Sequence, residues 1–313
     1  MQQPSSQVLP PPTGDRGRAA TALSGKGGTA KSFMQFHLAG QASTEGISTI
    51  LMDADPEQNL TNKFIENNPH LKDAAGLGDV LIAAGVLNGD DDFDIEAGAA
   101  KLIEVIQATS WDNVFFLTAG KPLQTLSQVS LTGDNWMWAL RDIFEEAGLY
   151  HRFRLLLPDT AGRRGSLVTM IMYACDIAYS PIYMMEDAVK KAIQARDRVK
   201  AIQGAHPLHW AGVVLTGLDL RAAINEVIRS DAAEAFHAVI GKDGKFETWG
   251  EVIVEIPYRP ATVHQAYQLG ERLIDLGAEK VRPLMTLFHA ILHDHILTAP
   301  SATEEPESTE AQA

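Results

Sequence analysis

The sequence predicts an α/β fold, a mostly parallel central sheet covered by helices on both faces. Seven short apolar runs recur along the chain: Arg18 to Leu23, Ser48 to Met52, Asn113 to Thr118, Phe153 to Leu157, Ile177 to Pro181, Trp210 to Thr216 and Val252 to Ile256. Helix-sized segments separate them, as the crossovers between parallel strands require. Of 313 residues, 45% are hydrophobic and 21% charged, a balance that supplies a core and argues against disorder over most of the length.

Residues 1–17, rich in Pro, Ser and Gln, and residues 298–313, with SATEEPESTEAQA, read as disordered tails. Between them, residues 18–297 show no internal repeat and no dividing linker, so one domain is expected. The formal charge of −14 is uneven. Glu304, Glu305, Glu307 and Glu310 lie in the last segment, and Asp90, Asp91, Asp92, Asp94 and Glu96 in one acidic stretch, read as a solvated loop because it lacks EF-hand spacing. A locally basic face elsewhere therefore remains compatible with the net charge. The lone Cys175 excludes a disulfide framework or Cys-ligated cluster within one chain and fits a reducing cytosol. The N-terminus has no apolar signal-like run, and Val168 to Met185 is broken by Asp176 and Pro181, so neither a secretory signal nor a membrane span is expected.

The first strand runs into SGKGGTAKS and then the helical pattern FMQFHLAGQAS. Such a strand, glycine-rich turn and helix start form an anion cradle: Gly25, Gly27 and Gly28 admit phosphate to backbone N–H groups, and the helix dipole adds positive potential. Lys31 would reach the outer phosphates of a nucleotide and Ser32 would face Mg²⁺. Ala30 stands where the common G-x-x-x-x-G-K-[ST] pattern has glycine, and Lys26 is a second cation that an ordinary phosphate loop does not require.

With that second lysine the segment resembles the deviant Walker A motif, K-G-G-x-x-K-[ST], of the ParA/MinD family of P-loop ATPases. The resemblance implies ATP and Mg²⁺ as cofactors, with Gly25, Lys26, Gly27, Gly28, Thr29, Ala30, Lys31 and Ser32 around the phosphates. It also implies an ATP-dependent sandwich homodimer in which Lys26 acts on the nucleotide of the other subunit while Lys31 acts on its own. Lys26 then works like an arginine finger.

The second run ends in ILMDADPEQNLT, a buried strand that brings Asp53 and Asp55 to its C-terminal end, where Mg²⁺ and an attacking water bind in open α/β sheets. It resembles the family's D-x-D-P-Q-x-N motif, with Glu57-Gln58 shifting the glutamine by one. The resemblance makes Asp55 the residue that positions the water and Asp53 a support of the metal region. FRLLLPDTAGRRGSL resembles the Walker B strand and its switch turn, so Asp159 would hold the Mg²⁺ water shell and Thr160 to Gly162 would sense the γ-phosphate. Pro158 departs from the usual apolar residue and removes a ladder donor. WAGVVLTGLDL and EVIVEIPYRP resemble later segments in which Thr216, Asp219 and Pro257 would line the base; a plain strand-end turn accounts for them as well.

The resemblance further implies a partition ATPase whose ATP-bound dimer coats nonspecific double-stranded DNA and is discharged by a ParB-like centromere-binding or cargo adaptor protein. Cytoplasmic, nucleoid-associated placement follows from that reading. Candidate phosphate contacts are Lys190, Lys191, Arg196, Arg198 and Lys200 on one helix, with Arg221, Arg229 and Arg259. On a helical wheel the first five are spread round the axis, as on a solvated helix. The segment before the glycine loop is too short for a helix-turn-helix, and the last helical pattern, Val281 to Leu297, leads into acid, unlike a membrane anchor. The alternative is a positioning or conjugation-associated scaffold acting on a protein complex or membrane. His289 and His293, four apart on the last helix without an H-E-x-x-H pattern, read as ordinary histidines.

Overall fold

The computed structural model describes residues 8–25, 30–86, 93–126, 131, 135–162, 165–185, 187–219, 222–257 and 260–299. The strands are β1 (Arg18–Ala22), β2 (Thr49–Ala54), β3 (Gln107–Ala108), β4 (Val114–Leu117), β5 (Leu155–Thr160), β6 (Ile177–Tyr183), β7 (His209–Leu218), β8 (Val239–Ile240), β9 (Phe246–Thr248) and β10 (Val252–Pro257). The first helices are α1 (Lys31–Thr44), α2 (Asn59–Ile65), α3 (Leu77–Ala83), α4 (Ile95–Val105), α5 (Leu123–Leu126) and α6 (Trp136–Glu146). They are followed by α7 (Leu149–Arg152), α8 (Ser166–Ala174), α9 (Ala188–Ile202), α10 (Ala223–Ala235), α11 (Gln265–Leu269) and α12 (Ala278–Ala290).

Eight strands form one sheet in the order β10-β7-β6-β1-β5-β2-β4-β3. Its pairings are parallel except for the short edge strand β3, which runs antiparallel to β4. All seven apolar runs are strands. The additions are β3 and the separate β8–β9 hairpin, too short to show as apolar runs.

Burial explains why the central strands read as continuous apolar runs rather than alternating ones. Ala19, Ile50 and Leu156 point into a core shared with α3, α4, α6 and α8, whereas Ala20, Leu51 and Leu155 point into one shared with α1, α2 and α12. Both faces are covered, so both side-chain sets are apolar.

Pro158 lies inside β5, between β1 and β2, where a missing N–H is hardest to replace. The register of β1 with β5 holds at Arg18↔Leu155 and Ala19↔Leu156, and side chains take over beyond it. Gln35 Nε2 donates to the carbonyls of Ala20 (3.1 Å) and Pro158 (2.9 Å), Thr21 Oγ1 to Pro158 (2.9 Å) and Thr160 Oγ1 to Ala22 (2.9 Å). The proline is thus accommodated at the centre of the sheet by buried polar groups from α1, β1 and β5.

Candidate functional site

The C-terminal ends of β1, β2 and β5 lie side by side, because β5 sits between the other two in a parallel sheet. From β1 the chain enters the glycine loop and then α1. Lys26, Gly27, Gly28 and Thr29 lie outside the described residues, as do Arg163, Arg164, Arg221, Arg259 and most of the acidic stretch. The flanks of the loop are described. Ala30, the N-cap of α1, is left-handed at φ 67° and ψ 19°, which explains why glycine is common at this position. The start of α1 has no side-chain cap and no acidic residue in its first turn, so an anion would find its N–H groups and dipole uncompeted.

Lys31 opens α1 and is buried, its Nζ donating to Ser24 Oγ at 3.3 Å. Burial lowers its pKa, and the neighbouring carboxylates of Asp159, Asp55 and Glu57 oppose that shift. On the far side of the loop, a Cβ on Gly25 would come within 2.9 Å of Gln194 Oε1 and 3.0 Å of Lys191 Cδ. Lys191 and Gln194 of α9 therefore lie directly against Gly25.

Three carboxylates have different surroundings. Asp53, at the end of β2, accepts from the Asp55 N–H (3.0 Å), the Thr61 N–H (2.8 Å) and Thr61 Oγ1 (2.7 Å). It is used as a brace for the turn into α2. Burial pushes its pKa up to about 6, partly offset by the bonds from Thr61 and Asp55. Asp55, just past the strand, accepts the Glu57 N–H at 3.0 Å in an Asx-type turn that fixes its orientation. Asp159 is fully buried, and among the described residues neither carboxylate oxygen has a partner within strict hydrogen-bonding geometry. Burial, then repulsion from Asp53, raises its pKa to about 8, with the Ser32 hydroxyl and Lys31 ammonium acting in the opposite direction. A carboxyl buried in such a place would be ionised and satisfied by a cation or its water shell. Lys31, Ser32 and Asp159 thus fit a phosphate-bound Mg²⁺ at the head of α1.

Thr216 is buried near the end of β7 and Pro257 ends β10, and the two strands are paired there. Asp219 follows β7, its carbonyl accepting from Ala222 N–H and Asn225 Nδ2. All three lie at the C-terminal end of the parallel strands, the end at which β1 leads toward α1. The basic residues divide differently. Lys190 and Lys200 are exposed on α9. Arg196 is held by Glu251 (3.4 Å), the Ala235 carbonyl (3.1 Å) and the Phe236 ring, and Arg229 makes a bidentate pair with Glu255 over Phe246. Both arginines are thus engaged in ion pairs and packing within the fold. Sequence reasoning also missed Gln35 and Thr61, whose only signal is a polar residue in an otherwise apolar or motif-like run.

The CobQ/CobB/MinD/ParA nucleotide-binding domain profile matches residues 20–263. No relative was found among curated proteins. Of solved structures, McdA from Cyanothece in complex with ATP aligns at TM-score 0.66 and 16% identity over 89% of this chain and 96% of that one. A plasmid partition protein from Borrelia burgdorferi aligns at TM-score 0.58 and 16% identity, covering 85% and 100% of the two chains. The septum site-determining protein MinD from Pyrococcus horikoshii, complexed with Mg-ADP, aligns at TM-score 0.62 and 16% identity, covering 87% and 94%. At these identities the likeness is one of fold. The profile match carries the assignment, since it runs from β1 through both acidic strand ends and past β10: the chain belongs to the CobQ/CobB/MinD/ParA nucleotide-binding domain family.

Proposed function

We propose that this chain is a ParA-type ATPase that binds ATP with Mg²⁺, dimerises in that state, and positions or segregates a cargo along nonspecific DNA until a ParB-like partner triggers hydrolysis. The observation that carries the nucleotide reading is the bare, buried carboxylate of Asp159 beside Lys31 at the uncapped start of α1. Bound Mg²⁺ would supply neutralisation of phosphate charge. Lys31 would steady the phosphates of its own subunit, and Lys26 would reach the partner subunit's nucleotide. Asp55, held by the Glu57 N–H, would orient the attacking water, and Asp53 would keep Asp55 in place. Thr216, Asp219 and Pro257 would flank the base. DNA contact falls to Lys190 and Lys200, with Arg198 beside them on α9.

The test is binding to random-sequence duplex DNA with ATP, ADP or no nucleotide at two salt concentrations, for wild type and Asp55→Ala. ATP-dependent binding that persists in Asp55→Ala and weakens with a log–log salt slope of about −0.9 per phosphate neutralised is expected. Hydrolysis should be lost in Asp55→Ala. ATP-driven dimerisation without DNA binding even at low salt would overturn the DNA assignment and leave a scaffold acting on proteins. Failure to bind nucleotide would overturn the whole reading.

A further inference from the structure

Far from the phosphate loop in sequence, two histidines and a glutamate converge. Glu45 caps the C-terminal end of α1, His289 lies in the last turn of α12, and His293 lies in the π-helical segment Ile291–Leu297 that continues it. Glu45 Oε1 is 2.9 Å from His289 Nδ1 and Glu45 Oε2 is 2.6 Å from His293 Nε2. The two rings are 4.3 Å apart between centroids and tilted by 32°. One ligand atom from each residue falls within 4.8 Å of the other two.

We propose that Glu45, His289 and His293 form a binding site for a divalent transition-metal ion, with Zn²⁺ the best match. Two imidazoles and one carboxylate are a zinc donor set, and they leave a coordination position toward solvent, where the His289 side chain is 54% exposed. Mg²⁺ and Ca²⁺ prefer all-oxygen ligands and are poorly served. The electrostatics point the same way. Glu45 is a carboxylate at the negative end of a helix dipole, and among the described residues its ion-pair partners are these two imidazoles, with no Lys or Arg. A cation at that point offsets both the carboxylate and the dipole. Gln41 Nε2 donates to Glu45 Oε1 at 2.5 Å, an outer-shell bond that orients the carboxylate. The π-helical turn carrying His293 is a feature frequent at functional sites. The ion would take the lone pairs of His289 Nδ1 and His293 Nε2, so the protons those atoms donate to Glu45 would move to the other ring nitrogen or to solvent as it binds. The ion would pin the C-terminal helix to the end of α1, the helix whose other end forms the phosphate loop.

The proposal stands apart from the nucleotide reading, and its test uses no ATP. The untagged full chain is dialysed against Zn²⁺, and bound metal is measured per chain alongside the thermal midpoint; Co²⁺ substitution reports the ligand field. One Zn²⁺ per chain, a midpoint raised by Zn²⁺ and reversed by a chelator, and affinity weakened at least about ten-fold in Glu45→Gln and in His293→Gln are expected. His151→Gln should bind as wild type does. Circular dichroism of each variant without metal establishes that it is folded. No retained Zn²⁺, or retention unchanged in folded Glu45→Gln and His293→Gln, would overturn the site and leave a hydrogen-bonded clasp.

Discussion

Asp53 and Asp159 are register partners on β2 and β5, yet Asp53 accepts three hydrogen bonds while the carboxylate of Asp159 has no partner in strict hydrogen-bonding geometry among the described residues. Two buried acids side by side cannot both ionise without loss, and the unbonded one carries the larger pKa shift, to about 8 against about 6. In the protein without metal or nucleotide, the folded state holds a proton on Asp159 that the unfolded chain has released. Stability should therefore fall as pH rises from about 4 through about 8, with Asp53 adding to the lower half of that window. Asp159→Asn removes the ionisation and should be more stable than wild type at pH 8 by on the order of a few kcal/mol. Denaturant melts across this range check it, and parallel curves for the two proteins would rule it out.

His37 gives the opposite slope. Its ring is enclosed by Phe33, Phe36, Tyr267 and Phe288, and its Nε2 has no partner among the described residues. Burial depresses its pKa to about 3, opposed by a hydrogen bond with the Val263 backbone. The unfolded chain takes up a proton below about 6.5 that the folded protein refuses, so this residue withdraws stability as pH falls from about 6.5 toward 3. His37→Phe should flatten that part of the acid limb. An unchanged acid limb in His37→Phe would mean that the ring protonates in the folded state.

The bridge from Gln35 to Pro158 predicts a large effect from a residue with no proposed chemistry. Gln35→Ala would strip a donor from the carbonyls of Ala20 and Pro158 and remove the acceptor of the Tyr179 hydroxyl (3.3 Å). All three groups are buried, and a loss of about 2–4 kcal/mol is expected. Equilibrium unfolding measures it; a loss below about 1 kcal/mol would show that the sheet tolerates Pro158 unaided.

The limits of sequence reading follow from which interactions are local. Strand positions and the acidic strand ends were legible because each is encoded within a few residues: an apolar run, a turn, a carboxylate. Pro158 was flagged as a defect, but its repair was not, since Gln35 lies more than 100 residues away. For the same reason Glu45 could not be paired with His289 and His293 before the chain was folded. The partners of Arg196 and Arg229 were not legible either, because Glu251, just before β10, and Glu255, within it, are distant in sequence.

Ala30 joins sequence pattern to backbone geometry. A β-carbon in the left-handed region costs about 1–2 kcal/mol, while glycine there loses more entropy on folding, so Ala30→Gly should be neutral or stabilising by up to about 1 kcal/mol. Ala30→Val, β-branched at positive φ, should lose about 2 kcal/mol. Thermal melts of the pair test the conformation, and a valine variant as stable as wild type would exclude it.

Separating Arg229 from the exposed lysines tests the division of basic residues. The Arg229 side chain is 6% exposed and ties α10 to β10 through Glu255, with Phe246 of β9 beneath it. Arg229→Ala leaves Glu255 without its cation in a largely buried place and should destabilise by about 3 kcal/mol. DNA affinity of the folded fraction should not change. Lys190→Ala with Lys200→Ala should do the reverse, leaving the melting midpoint near wild type while lowering the salt slope of DNA binding by about 0.9 per lysine that meets a phosphate. Both quantities are read on the same preparations, in the ATP state. If Arg229→Ala weakens DNA binding at full folding, the arginine must leave Glu255 in the bound state, and the surface assignment would move to α10.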